Sequence, residues 1–377
     1  MKNPSTQGNG AQHLRIANIL VPIDFSPMSI ATIATAKRLA QRFGASVHLA
    51  HAQEYSYPAV MMGPGAPIPV APMTDFEKWR DAAEERLVRL AKEHGVTGTC
   101  RAEIGGPPFD TICWIANQIA ADLIVTPTHG RTGMKRALLG STAERLVQHS
   151  PSPVYVDRAR KTRGARRGIE TILVPVDFSD CSLGGLNYAI EFAKTFASRI
   201  LVLNVVDLGP LPTADGYAMY DLAASEERLV SAAEDQMREF VRRAKFDGVP
   251  FQTMVIAGPS VERICNVARA ENADLIITAT HGRTGLSHLL IGSTAEVTVR
   301  HAPCPVLVVP SYPAARVANI PQRLLRKPAK SAVSKPQRKV LANSAATRRG
   351  RKLIRQAAPE RRQTNKFRES HAAPREE

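Results

Sequence analysis

The sequence predicts an α/β chain: two tandem, doubly wound, five-stranded parallel-sheet domains, followed by a basic C-terminal tail expected to be disordered. Three observations carry this. ILVPIDFS at Ile19–Ser26 recurs as ILVPVDFS at Ile172–Ser179; ADLIVTPTHGRTG at Ala121–Gly133 recurs as ADLIITATHGRTG at Ala273–Gly285; and GSTAE follows at Gly140–Glu144 and Gly292–Glu296. The copies lie 153 residues apart at the first block and 152 at the second, which is the size of a domain and not of a solenoid unit. Each copy also alternates short β-branched runs with longer segments of helical period, the pattern of strand and crossover helix. Finally, strands such as Ile19-Leu20-Val21 and Leu275-Ile276-Ile277 are apolar on both faces, as helices on both sides of a sheet require. Right-handed crossovers then lead to a doubly wound sandwich.

In the first copy, strands are expected near Asn18–Asp24, Ser46–Gln53, Thr99–Ile104, Asp122–Thr128 and Val154–Asp157, with helices near Ser29–Phe43, Asp75–His94, Pro108–Ile119 and Ser141–His149. Gly44 sits where a left-handed residue ends a helix, and Ser141 is placed to cap the last one. The second copy repeats the plan, with strands near Thr171–Asp177, Ile200–Val206, Phe251–Ile256, Asp274–Thr280 and Val306–Val309. Residues 18–157 and 170–310 are the two domains. The basic stretch 158–169 links them, and residues 1–17 and 311–377 are expected to be disordered. Tyr55–Thr74, rich in Pro, Gly and Met, is too long for a simple connector and is expected to form a lid-like or disordered excursion; its counterpart, Leu208–Asp221, is shorter.

The formal charge of +16 suggests a nucleic-acid partner until it is divided along the chain. Beyond Pro310 there are 18 Lys and Arg against 4 Glu, which leaves 32 basic and 30 acidic residues elsewhere. The folded part is therefore nearly neutral. No apolar run approaches the length of a membrane span, and the polar N-terminus lacks a secretory h-region, so a cytoplasmic address without membrane contact is expected. The five cysteines show no C-x-x-C and no alternating Cys/His spacing, which argues against zinc and against a disulfide framework. Cys113 and Cys265, at equivalent positions, read as buried small hydrophobes.

Ligands of open parallel sheets settle at the carboxyl ends of strands, where strand order reverses. The first strand runs into Pro22-Ile23-Asp24 and the fourth into His129-Gly130-Arg131-Thr132-Gly133, so neighbouring strands would bring both blocks to one crevice. Gly130 and Gly133 free the backbone for turns, and Gly140-Ser141-Thr142 opens a helix whose N–H groups and dipole favour an anion. Asp24 would repel phosphate but can accept from a ribose hydroxyl or a base amine. Simpler readings stand beside these: Gly140 for tight helix-to-strand approach, and Asp24 as the N-cap of the first helix. The stretches between the repeated ends, MKRALL and LSHLLI, differ, which favours a site built from the ends. His129 and His281 fit structural hydrogen bonding better than acid/base chemistry, because no nucleophile or metal-ligand cluster recurs with them. Arg131 and Arg283 fit either phosphate neutralisation or a solvated loop. There is no Walker A lysine, dinucleotide fingerprint or nucleophile elbow.

With V-P-x-D ending the first strand and G-x-x-G, nine residues, then G-S in the loop (Gly130 to Gly140-Ser141; Gly282 to Gly292-Ser293), the chain resembles the universal stress proteins in tandem-domain form. The resemblance spans residues 18–310. It implies Rossmann-like domains of strand order 3-2-1-4-5, with ATP, accompanied by Mg, between the first and fourth strands. Carried over by position, Pro22, Asp24 and the backbone of Ala52 meet the nucleoside in the first copy, and Gly130, Arg131, Gly133, Gly140, Ser141 and Thr142 its phosphates. The second copy has Pro175, Asp177 and Val205, then Ala279, Gly282, Arg283, Gly285, Gly292, Ser293 and Thr294. The resemblance also implies an internal pseudo-dimer joined through Val154–Val156 and Val306–Val308, with a further homo-oligomer open to the pair. The first glycine of the family loop is Pro127 in one copy and Ala279 in the other; proline supplies no N–H, so the second copy is expected to bind more tightly. The expected function is that of an adenine-nucleotide-binding regulator in the cellular stress response, not an enzyme beyond slow ATP hydrolysis. The alternative is non-specific binding of nucleic acid or anionic surfaces through the tail, with degenerate nucleotide sites.

Overall fold

The computed structural model describes residues 14–54, 73–130, 139–158, 168–208, 218–280 and 292–310. The expected excursion up to residue 72, most of the basic linker and the whole tail lie outside the described residues. The first repeat comprises β1 (Asn18–Pro22), α1 (Pro27–Phe43), β2 (Ser46–Glu54), α2 (Met73–His94), β3 (Cys100–Gly105), α3 (Pro108–Gln118), β4 (Leu123–Pro127), α4 (Ser141–His149) and β5 (Val154–Asp157). The second comprises β6 (Thr171–Pro175), α5 (Asp180–Phe196), β7 (Arg199–Val206), α6 (Ala218–Arg242), β8 (Phe251–Ala257), α7 (Ser260–Ala270), β9 (Leu275–Ala279), α8 (Ser293–His301) and β10 (Val306–Val309). Helix α6 begins inside the segment read as a connector, at Ala218.

All ten strands form one sheet in the order β3-β2-β1-β4-β5-β10-β9-β6-β7-β8, so the expected order 3-2-1-4-5 is read inwards from both edges. Pairing is parallel within each repeat. At the centre β5 and β10 run antiparallel, with Val154 opposite Val308, Tyr155 opposite Leu307 and Val156 opposite Val306. The pseudo-dimer is therefore one continuous sheet, and each inner edge, which would otherwise expose unpaired main-chain groups, is satisfied by the other.

Alternate strand residues supply two cores. Ile19, Val21, Leu123 and Tyr155 face α1, α2, α5 and α6, whereas Leu20, Ile124, Val154 and Val156 face α3, α4, α7 and α8. Complete burial of such side chains stabilises by roughly 1.5–3 kcal/mol each. On the first face the joint is closed by Phe43, Phe192 and Phe196, with ring centroids 4.8–5.6 Å apart. On the other face, Arg300 reaches Glu144 at 3.3 Å and Glu296 at 3.2 Å, the closing residues of both GSTAE blocks. Arg158 donates to the carbonyls of Val299 and Arg300 at 2.8 and 2.6 Å, where the negative end of the α8 dipole favours a cation.

The helix ends explain several sequence choices. Gly44 closes α1 in the left-handed region, φ 69°, and its counterpart Ala197 closes α5 at φ 55°. Asp122 Oδ2 accepts from the N–H groups of Ala17 and Asn18, and Asp274 Oδ2 from those of Glu170 and Thr171, at 2.7–2.9 Å. The repeated aspartate of ADLI thus staples the start of the neighbouring strand. One expectation is corrected: Gly140, not Ser141, is the N-cap of α4, and Gly292 that of α8, neither with a side-chain cap. Each glycine N–H is committed to the preceding threonine carbonyl, Thr128 or Thr280, at 2.7 Å; this holds the glycine extended and makes the serine the first helical residue.

None of the five cysteines forms a disulfide, and burial pushes the Cys113 thiol up to about 12. Among the described residues no group of His, Cys, Asp or Glu is arranged to hold a metal, and no helix is long and apolar enough to cross a membrane.

Candidate functional site

Strands β1 and β4 are neighbours, as are β6 and β9, yet each pair is registered at only two positions near its start. Their carboxyl ends diverge into a crevice, because β1 hands the chain to helices on one face and β4 to helices on the other.

One wall is the bend after β1. Ile23 N–H donates to Ala50 O at 2.7 Å, and His51 Nδ1 donates to Ile23 O at 2.6 Å. In the second repeat Val176 N–H donates to Leu203 O at 2.8 Å, and Asn204 Nδ2 to Val176 O at 2.8 Å. A buried histidine and a buried asparagine thus do the same work, fixing the residue before Asp24 or Asp177. The residue after the aspartate, Phe25 or Phe178, lies at φ 63° or 65°. Such left-handed backbone costs a non-glycine residue about 1 kcal/mol or more and is held here by ring packing. Phe25 lies 4.7 Å from the His51 ring with the Arg86 guanidinium 4.0 Å over it, and Phe178 meets Phe240 edge-on at 5.6 Å. Asp24 Oδ1 accepts from Ser26 N–H at 2.9 Å. Asp177 Oδ1 accepts from Ser179 N–H and hydroxyl at 3.1 and 2.6 Å. The caps of α1 and α5 are Ser26 and Ser179, which removes the reading of Asp24 as that cap. Pro22 and Pro175 end their strands, and Ala52 and Val205 lie half-buried towards the ends of β2 and β7.

The opposite wall follows β4. A Cβ on Gly130 would stand 2.5 Å from Asp24 Oδ2, and one on Gly140 3.3 Å from Thr128 O; both glycines are there for close approach. The bond from Gly140 N–H to Thr128 O, and that from Gly292 to Thr280, clasp each loop at its two ends. Beyond the clasp, the first-turn N–H groups at Ser141-Thr142 and Ser293-Thr294 have no partner within their helix, a disposition that suits an anion. His129 Nδ1 lies 3.0 Å from Thr128 Oγ1, and its Nε2 is buried without a hydrogen-bond partner among the described residues. Pro127 pairs with Asp157 at the end of β4, and Ala279 with Val309 at the end of β9. Arg131, Gly133, His281, Gly282, Arg283 and Gly285 lie outside the described residues.

In the second repeat a cleft of about 630 Å³ brings Ser293 and Thr294 together with Asp207, Ser260, Asn266 and His301. Ser260 Oγ donates to Asp207 Oδ2 at 3.3 Å. Sequence reasoning did not single out Asp207 or Ser260. Their available signal is position, since Asp207 directly follows β7 and Ser260 opens α7 just after β8.

The model of the universal stress protein family matches twice, over residues 16–158 and 168–310. Two universal stress proteins of Methanocaldococcus jannaschii are similar to the chain. One is 34% identical over 138 residues, which is 37% of this chain and 80% of that protein; the other is 27% identical over 150 residues, 37% and 93%. Among solved structures, a universal stress protein from Archaeoglobus fulgidus superposes with a TM-score of 0.52 at 19% identity, covering 78% of this chain and 97% of that one. At that identity the likeness concerns the fold.

Proposed function

Because the chain belongs to the universal stress protein family and carries its domain twice, we propose that it is an adenine-nucleotide-binding regulator of the cellular stress response. The observation that carries this reading is the clasped glycine loop facing the aspartate: two uncapped helix starts, at Ser141 and Ser293, each beside a β1-type strand whose acid is fixed by the chain around it. Phosphates fit the first-turn amides at Ser141-Thr142 and Ser293-Thr294. The nucleoside fits the end of β1 or β6, with Asp24 or Asp177 accepting from a hydroxyl or amine and the main chain at Ala52 or Val205 beside it. A cleft of about 630 Å³ lies within the range typical of small-molecule sites. The family resemblance names ATP, with magnesium as the triphosphate's own companion.

Turnover is not the main task in this reading. The histidine beside the first loop, His129, has its Nδ1 3.0 Å from Thr128 Oγ1, which suits a structural role in holding the loop. Binding would change the surface that the domain pair offers to partners. The test is mass spectrometry of the intact purified chain for co-isolated nucleotide, followed by ATP titration of the wild type and of Gly292→Val, which should crowd the phosphate amides and abolish binding in the second repeat. A chain that carries no nucleotide and shows no heat or fluorescence change with millimolar ATP ends the reading.

A second reading rests on the charge division: 18 basic against 4 acidic residues beyond Pro310 favour a polyanion bound with strong salt dependence and little sequence preference. Deleting residues 311–377 should abolish DNA retention at moderate salt if this holds, and unchanged retention ends it.

A further inference from the structure

The repeats agree at their strand ends but not in the groove between the two helices beyond. In the second repeat the groove between α7 and α8 is the open cleft, walled by Val261 and Asn266 from α7 and by Val297 and His301 from α8, with Ser293 and Thr294 at its head. The corresponding positions of the first repeat, 152 residues earlier, hold Phe109, Trp114, Arg145 and His149.

These side chains meet across the groove. The Arg145 guanidinium lies 5.0 Å over the Phe109 ring, and the His149 ring is 5.4 Å from it. Trp114 packs on the core below and carries the Arg101 guanidinium at 4.4 Å. Cation–π and ring contacts of this kind hold large side chains in place. The Arg145 guanidinium is engaged on Phe109 rather than held out towards a phosphate. The same repeat also has Pro127 where the other has Ala279, and so lacks one more main-chain donor at the mouth.

We propose that the chain holds a single nucleotide, in the second repeat, and that Phe109 and Arg145 close the equivalent groove of the first. This rests on the nucleotide reading above and narrows it. Phe109 and Arg145 are then specificity-determining residues whose effect is occlusion.

The test is the stoichiometry of ATP binding to the full chain by equilibrium dialysis, with folding checked by circular dichroism. Wild type is expected to bind one equivalent. Val261→Phe with Val297→Arg, which transplants the plug into the second repeat, should bind none while keeping its fold. Phe109→Val with Arg145→Val should raise the stoichiometry above one, or at minimum leave the first repeat's groove accessible to a photoreactive ATP analogue that does not label it in wild type. Two equivalents bound by wild type, or one equivalent still bound after the plug is transplanted, would overturn the inference and leave the nucleotide reading standing. Failure of wild type to bind at all overturns both.

Discussion

Asp24 occupies the space that a side chain on residue 130 would need, its Oδ2 lying 2.5 Å from where a Cβ on Gly130 would stand. The same carboxylate accepts the Ser26 N–H through Oδ1, so turning it aside to make room strains that bond. Gly130→Ala should therefore cost about 1 kcal/mol of stability, the net worth of one such hydrogen bond, and displace the acid from the crevice. Gly106→Ala, where an added Cβ meets nothing within 4 Å, is the control. Urea titration of both variants checks this; an alanine at 130 that unfolds at the wild-type midpoint would refute it.

Gly44 and Ala197 close equivalent helices in the same left-handed conformation, and a Cβ at residue 44 would touch nothing within 4 Å. The difference between them is conformational rather than steric. Ala197→Gly should stabilise the protein by roughly 0.5–1 kcal/mol, and Gly44→Ala should destabilise it by a similar amount. Thermal melts of the two single variants should shift in opposite directions, and parallel shifts would contradict the argument.

Arg300 is shared by Glu144 and Glu296, all three side chains being 28–29% exposed. Arg300→Gln leaves two carboxylates facing each other across the joint between repeats. A loss of about 1 kcal/mol is expected, since partial exposure limits such pairs, and the loss should shrink in high salt. Adding Glu144→Gln should restore part of it. Denaturant titration at two salt concentrations decides, and a salt-independent loss would point to packing instead of charge.

Burial raises the pKa of Asp157 above its ordinary value, with Thr35, Arg38 and the Arg158 backbone opposing it. A raised acid binds its proton more tightly when folded, so its contribution is most favourable below the unfolded pKa and is lost as pH rises through the folded one. Asp157→Asn should therefore stabilise the protein at neutral pH relative to wild type, and the advantage should fade as pH falls into the carboxylate range. Urea midpoints measured across that interval provide the check; an advantage independent of pH would exclude the titration as its cause.

The helices and strands were legible because both faces of this sheet are apolar and the connectors are marked by Gly and Pro. Strand ends were less so: β1 stops at Pro22, the last residue paired with β2, although the apolar run continues to Ile23. The glycines of the site were visible as residue types, but their reasons were not. Nothing in Asp-Phe-Ser announces a left-handed phenylalanine, whose ring is packed against partners distant in sequence. His51 and Asn204 share one task with unlike side chains, so comparing the repeats by identity passes over them. The plug of Phe109, Trp114 and Arg145 was equally hidden, because its members are scattered along two helices and meet only once α3 and α4 are packed.

The antiparallel seam at the middle of the sheet has a further meaning for how the halves can change. Two separate identical chains that associate must mutate together, since every substitution appears on both sides. Here the partners are encoded independently yet never need to find each other, so one lobe is free to give up a cavity, or acquire a new one, while its sibling keeps the shape that both require.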